Sequence, residues 1–147
     1  MAMTTFERRL PRGRISTGDA SRIQQQRGGW AMRQAAGQPV RLFQSERSTT
    51  WTVAYDEEAF AFQPSPLNRV VTVIPIDTLE RLPEAIAPMR PYLQTIGLAA
   101  PDKRLAALTR LLMATGVTRV CPLGEMQHPP ADWPHDGRPN LLPLLGK

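Results

Sequence analysis

The amino-acid sequence predicts an α/β fold with a mostly parallel sheet and crossover helices. From residue 69 onward, segments with strand character alternate with segments of helical periodicity, an order typical of parallel strands joined by right-handed crossovers. The run RVVTVIPI (69–76) is nearly continuous in β-branched residues, as expected of a strand covered on both faces. With 147 residues and 41% hydrophobic content, the chain is predicted to form a single domain over residues 1–147.

The N-terminal region is predicted to begin without regular structure and then to become helical. Residues 1–15 are expected to be a loop or extended lead-in. Ser16 or Thr17 can cap the free N–H groups of the following helix, and Gly37 ends it. Gly28–Gly29 weakens the middle of this helix by about 1 kcal/mol for each glycine.

Three extended segments follow this helix. VRLF (40–43) and TWTVAY (50–55) are short and nearly alternating, and the β-branched run at 69–76 is the third. Prolines and acidic residues predict a loop in the segment DEEAFAFQPSPLN (56–68), which separates the second strand from the third.

The second half of the chain carries the alternation of helices and strands. Asp77 and Glu80 have the spacing of a capping box at the start of a helix that Pro83 kinks or restarts. The remaining elements are predicted from periodicity and from their Gly and Pro boundaries. They are a strand at 92–98, a helix at 101–116, a strand at 117–121 and a Pro-rich loop and tail at 122–147.

Composition and charge bound the environment and the partners. One cysteine excludes an internal disulfide framework, and the sequence shows neither a charged-then-apolar leader nor a membrane-length apolar run, so we expect a cytoplasmic protein. Residues 1–50 hold nine arginines and three acidic residues, a balance of +6 that could indicate nucleic-acid binding. These arginines are spread out without interleaved aromatic residues, so a small basic nucleic-acid-binding protein remains only an alternative.

The segment RVCPLGEMQHPPADWPHDGRP (119–139) contains the only cysteine and both histidines of the chain. A metal site could use Cys121, His128 and His135, but zinc ligands usually include a pair two to five residues apart, and no such pair exists here. We therefore predict no metal. Nucleophilic catalysis by Cys121 would need surroundings that stabilise a thiolate, and the nearby sequence does not indicate them.

Three segments resemble a known family: STTWTVAYDEEAFAFQPSPLNRVVTVIPIDTLERLPEAI, YLQTIGLAAP and GVTRVCPLGEMQHPPADWPHDGRPNL. They are similar to the C-terminal part of bacterial acyl-CoA reductases, the luminescence-type fatty-acid reductases of the aldehyde dehydrogenase superfamily. The resemblance spans about Leu10 to Leu142 and implies a partial aldehyde-dehydrogenase-like catalytic domain. Its most specific part is the block from PLGEMQ to HDGRPNL.

The resemblance implies a reaction for which this chain carries only part of the enzyme. In the family a cysteine thiolate attacks the acyl thioester, and hydride from NADPH then releases the aldehyde. Both the nucleophilic cysteine and the dinucleotide-binding domain lie upstream of the matched region, so no catalytic residue is carried over. No cofactor is expected for this chain alone. Ser65 lies near the position of the family's cofactor-ribose glutamate, so the cofactor-binding residues are unknown.

The implied substrate-binding residues lie in GEMQHPPADWPHDG, which would shape the acyl side of the site: Met126, Trp133, His135 and Asp136. We predict the C-terminal portion of an NADPH-dependent fatty acyl thioester reductase, inactive alone, as a natural short protein, a truncation or an excised portion. Its substrate would be acyl-CoA or an acyl-protein thioester, and we expect a companion chain or self-association. A non-catalytic protein-interaction module is the leading alternative.

Overall fold

A computed structural model describes residues 2–134 of the chain. The chain divides into two compact units, Met1–Pro75 (unit 1) and Ile76–Lys147 (unit 2). The single domain expected over residues 1–147 stays a prediction. His135, Asp136 and the residues that follow them to 147 lie outside the described residues.

Unit 1 begins with two helices. Helix α1 spans Ala2–Arg9, so the prediction of a loop or extended lead-in over residues 1–15 is wrong for these residues. Helix α2 spans Thr17–Ala35 and begins as predicted, because Oγ of Ser16 accepts a hydrogen bond of 3.0 Å from the backbone N–H of Asp19. The backbone after α2 turns at Gly37, whose φ of +80° favours glycine.

A three-stranded mixed sheet completes unit 1. Strand β1 (Val40–Gln44) pairs antiparallel with β2 (Thr52–Asp56), and β2 pairs parallel with β3 (Val70–Val73). The three predicted strands are therefore present, with β2 central and the prolines of the predicted loop between β2 and β3.

One face of this sheet packs against α2. The core consists of apolar side chains that alternate along the strands and recur at helical spacing along α2: Ile23, Trp30, Val40, Ala54 and Val70.

The opposite face of the sheet is open, which corrects the expectation of a third strand covered on both faces. The register places Phe43, Val53 and Val71 in one row across the strands, and Arg41, Tyr55 and Val73 in the neighbouring row. Phe43, Val71 and Val73 are 52%, 45% and 41% exposed. The β-branched run is thus buried on one side only. Burial on both sides was predicted because the sequence cannot show which face of a strand has a packing partner.

Unit 2 opens with a helical segment broken by prolines. A 3-10 turn at Leu79–Arg81 leads into helix α3 (Leu82–Ile86), and a second 3-10 turn covers Ala87–Tyr92. Pro83 lies in the first turn of α3, as the predicted restart requires. The predicted capping box is wrong, because Thr78 precedes the first turn and no side chain caps it.

Two parallel strands and one helix complete unit 2. Strand β4 (Thr95–Leu98) pairs parallel with β5 (Arg119–Pro122), and helix α4 (Asp102–Met113) connects them and contacts both. Leu108 and Leu112 bury the apolar face of α4. The predicted strand–helix–strand order is confirmed here.

The prediction of a single parallel sheet from residue 69 onward is wrong for the described residues. Strand β3 pairs with β2, whereas β4 and β5 form a separate sheet. The chain is therefore α/β with two small sheets, and the aldehyde-dehydrogenase-like arrangement of these elements stays a prediction. Among the helices of residues 2–134, none has the length and apolar content needed to cross a membrane.

Candidate functional site

The side chain of Arg119 holds the loop after β5 against its own strand. The guanidinium of Arg119 donates hydrogen bonds to the backbone carbonyls of Glu125 (2.9 Å), Met126 (3.2 Å) and His128 (3.0 Å). A planar guanidinium offers several donors in a fixed geometry, so a single residue fixes three points of the loop backbone. Arg119 thereby positions the segment in which the substrate-binding residues were predicted.

Trp133 closes the same loop farther along the chain. Its Nε1–H donates to the carbonyl of Thr118 at 3.4 Å, at the start of β5. A long loop stays ordered only where its backbone or side chains find partners, and Trp133 supplies one at the far end of this loop.

Met126 and Trp133 line one cleft of about 480 Å³. Its lining combines apolar side chains with amide and hydroxyl groups from the segment before β4 and from the loop after β5: Tyr92, Leu93, Gln94, Thr95, Met126, Gln127, Pro129 and Trp133. Polar and apolar groups share its surface about equally, so the cleft can contact both the apolar and the polar part of a small molecule. The structure therefore brings two of the four predicted substrate-binding residues together, while His135 and Asp136 lie outside the described residues.

The sequence reasoning missed Gly97, which lies on β4 beneath Met126. A Cβ atom at position 97 would lie 2.9 Å from Sδ and 3.1 Å from Cγ of Met126. A glycine inside the strand pattern TIGL was the available signal, because such a glycine often marks a close approach by another part of the chain.

Cys121 and His128, which were weighed as candidate metal ligands, have different surroundings. Cys121 is half-buried, and its Sγ lies 3.8 Å from the carbonyl oxygen of Ile96. It lines a separate, mainly apolar cavity of about 240 Å³ with Leu98, Leu105 and other residues of β4, β5 and α4. The ring of His128 is exposed and lies 3.5 Å from the carboxylate of Glu125. Cys121 here behaves as a small apolar residue beside a strand.

Metal ligands do not converge in the part of the chain that the structure describes. Within residues 2–134, no three His, Cys, Asp or Glu side chains are close enough to hold one ion. The second histidine of the motif lies outside this range, so the expectation of no metal stays a prediction.

Unit 1 contains a buried guanidinium without a carboxylate partner among its hydrogen bonds. Arg27 donates to the hydroxyls of Thr52 and Ser45 and to the carbonyls of Ser48 and Trp51. Burial, and secondarily the charge of Arg12, lowers the pKa of Arg27. This arginine therefore organises the connection between β1 and β2.

A second arginine of α2 holds a carboxylate at the end of β2. Arg33 donates two hydrogen bonds to the buried carboxylate of Asp56, which also accepts from the backbone N–H groups of Glu58 and Ala59. The hydrogen bond from Arg33 is the largest cause of the lowered pKa of Asp56. Several arginines that suggested a nucleic-acid surface are thus used inside unit 1.

Ser65 takes part in a tight turn before β3. Its Oγ donates to the carbonyl of Val70 at 2.9 Å and accepts from the N–H of Leu67 at 3.1 Å. The three consecutive residues Leu67–Arg69 have positive φ angles of 63°, 53° and 64°. Non-glycine residues rarely adopt this conformation, and Asn68 was the only residue in the turn whose type indicates it.

The described residues form an α/β protein with a cleft large enough for a small amphipathic molecule, beside a parallel strand pair. The family model for acyl-CoA reductase (LuxC) matches residues 1–146, and the chain belongs to this family. No curated protein matches the chain.

The described residues do not fit a dinucleotide cofactor. Pyrophosphate binding in dinucleotide folds uses a glycine-rich turn between a strand and the N-terminus of a helix. The two strand-to-helix connections, after β3 and after β4, contain no glycine, and Gly28–Gly29 lies inside α2. The loop between Asp56 and β3 carries Ser65 in the intramolecular turn described above. Residues 2–134 therefore contain no glycine-rich strand-to-helix turn of this kind.

Proposed function

We propose that this chain is a substrate-shaping portion of an acyl-CoA reductase that converts fatty acyl thioesters to aldehydes. The observation that carries the proposal is the family membership over residues 1–146. The cleft at Met126 and Trp133 supports it, because apolar side chains can contact an acyl chain while Gln94 and Gln127 can hydrogen-bond near the thioester.

Under this proposal the complete reaction requires groups that residues 2–134 do not supply. Thioester reduction in the family uses a cysteine nucleophile and hydride from NADPH, and NADPH supplies the two electrons when it is bound. Cys121 lines a cavity other than the Met126–Trp133 cleft, and no dinucleotide turn was found in residues 2–134. We therefore propose that the chain alone does not reduce acyl-CoA and that NADPH binds to another part of the complete enzyme.

The chain needs a companion chain or a second copy under this proposal. The open face of the unit 1 sheet supports the idea, since it presents Phe43, Val71 and Val73 to solvent. Exposed apolar faces of this kind are typical of interaction surfaces. A cytoplasmic location is part of the proposal and is supported by the single cysteine, which fits a reducing compartment.

The test has a binding part and an activity part. The full chain is titrated with decanoyl-CoA by calorimetry. The wild type is compared with Trp133→Ala and with the control Trp51→Phe, because Trp51 lies in unit 1. Weaker binding in Trp133→Ala alone is expected, whereas equal affinity in all three proteins would contradict the role of the cleft.

For activity, aldehyde formation from decanoyl-CoA and NADPH is measured for the wild type and Cys121→Ala. No turnover is expected from either protein. Turnover that persists in Cys121→Ala would show that the chain holds an unrecognised nucleophile. Turnover lost in Cys121→Ala would identify Cys121 as the nucleophile and overturn the proposed division of roles.

A further inference from the structure

Met126 occupies the space in which residue 97 of β4 would normally carry its Cβ atom. A Cβ atom at position 97 would lie 2.9 Å from Sδ of Met126, 3.1 Å from its Cγ and 3.3 Å from Cδ1 of Leu123. A Cβ atom almost never approaches another heavy atom within 3.0 Å, so any larger residue at position 97 must displace the Met126 side chain.

The backbone of Met126 has little freedom to respond to such a change. Arg119 holds the carbonyls of Glu125, Met126 and His128, and these bonds fix the loop on both sides of the methionine. The methionine side chain, in contrast, is unbranched and has three rotatable bonds. A methyl group at position 97 would therefore move the thioether rather than the loop.

The side chain that would move is part of the cleft wall, because Met126 lines the cleft together with Tyr92 and Trp133. Residue 97 does not line the cleft itself. It acts through Met126, so its size determines where one apolar wall of the cleft lies.

We propose that Gly97 is a specificity-determining residue of this acyl-CoA reductase and that it acts by fixing the position of Met126. The inference rests on the proposed function, since the ligand whose length or width is selected is the acyl chain of a thioester. The absence of a side chain at position 97 lets Met126 lie against β4, and this sets the space available to the acyl chain.

The binding experiment uses the full chain and saturated thioesters of three lengths, butanoyl-, octanoyl- and hexadecanoyl-CoA. Gly97→Ala is expected to change the ratio of affinities among them by about tenfold, the range over which a methylene-sized change acts in an apolar site. Gly28→Ala is the matched control, because nothing lies within 4 Å of a Cβ atom at that position. The ratio in this control should equal that of the wild type.

A double-mutant cycle separates the effect of Met126 from general damage to unit 2. Met126→Ala removes the displaced group, so Gly97→Ala should have little further effect on the affinity ratio in that background. Additive effects of the two substitutions, or an unchanged ratio in Gly97→Ala, would overturn the proposal.

A second measurement needs no ligand and protects the test against a folding defect. In protein labelled at the methionine methyl groups, the resonance of Met126, assigned through Met126→Leu, should shift in Gly97→Ala and not in Gly28→Ala. An unshifted resonance would show that Met126 does not depend on residue 97.

The two readouts also distinguish failure of this inference from failure of the proposed function. If the wild type binds none of the three thioesters, the proposed function fails at this cleft and the specificity role falls with it, whatever the methyl resonance shows. If the wild type binds them and Gly97→Ala leaves the ratio unchanged, only the role of Gly97 is lost.

Discussion

Arg27 donates its Nε hydrogen to Oγ1 of Thr52 at 2.8 Å, and the two residues are only 5% and 0% exposed. The bond joins the middle of α2 to the first residue of β2. A buried guanidinium is tolerated only when its donors are used, and here hydroxyl and carbonyl oxygens use them instead of a carboxylate. The interior of unit 1 therefore depends on polar geometry as well as on apolar packing.

Replacing Thr52 with valine should destabilise unit 1. The shape of the side chain is nearly kept, but the Nε hydrogen of Arg27 loses its acceptor in a site without access to solvent. We expect a loss of about 1–3 kcal/mol in the free energy of unfolding, measured by urea denaturation. Thr78→Val is the control, because Thr78 is exposed, and its effect should remain within about 0.5 kcal/mol. Equal effects of the two substitutions would contradict the role of the hydrogen bond.

The Asp56–Arg33 pair should make stability depend on acid pH. Because the pKa of Asp56 is lowered in the folded chain, chiefly by the hydrogen bond from Arg33, its contribution is fully present above the unfolded value of about 3.9. The contribution is lost as the pH falls below that value and through the lower folded pKa. Asp56→Asn should remove this part of the pH dependence and cost about 1–3 kcal/mol at neutral pH.

Urea denaturation from neutral pH to strongly acidic pH measures this effect for the wild type, Asp56→Asn and the exposed-site control Asp132→Asn. The control should keep the wild-type profile. If the free energy of unfolding of Asp56→Asn depends on pH as it does in the wild type, another group causes the acid sensitivity.

Loss of the Arg119 guanidinium should release the loop that carries Met126. In Arg119→Met, three carbonyls lose their donor, so the amides of residues 125–128 should exchange about fivefold faster with deuterium, for a loss of about 1 kcal/mol. Arg119→Lys should recover little of the protection, because an ammonium group cannot reproduce the planar set of donors. Arg110→Met is the control, since Arg110 is exposed on α4 and its guanidinium donates to the carbonyl of Ala106 within the same helix. Unchanged exchange in Arg119→Met would mean that other contacts hold the loop.

The open face of the unit 1 sheet should mediate association. Val71→Lys places a charge in the row formed by Phe43, Val53 and Val71, and burying that charge in an interface is costly. We expect the apparent dissociation constant of the assembled species to rise at least about tenfold, measured by sedimentation across a dilution series. Leu67→Lys, at an exposed apolar residue outside the sheet, should leave it unchanged. A wild-type monomer at micromolar concentration with cooperative unfolding would contradict association and favour the interaction-module alternative.

The elements of the fold could be predicted where local signals agree. The Ser16 cap, the restart at Pro83 and the apolar spacing of α4 each depend on residues within one or two turns, so the sequence is sufficient for them. Helix α1 was missed because none of its residues is fully buried, and a pattern of buried positions was the signal being sought.

The site could be predicted only in part, because local sequence patterns do not show which distant residues will contact each other. By itself the sequence determined the family, the order of strands and helices from residue 69, and the loop in which Met126 and Trp133 lie. Only the tertiary structure decided that β3 joins β2 rather than β4, and that Arg27 and Arg33 serve the interior of unit 1. It alone placed Gly97 beneath Met126 and Arg119 against three loop carbonyls. The spacing of these contacting residues along the chain follows neither the helical nor the strand period. The energies of the contacts depend on distances that exist only after the chain has folded.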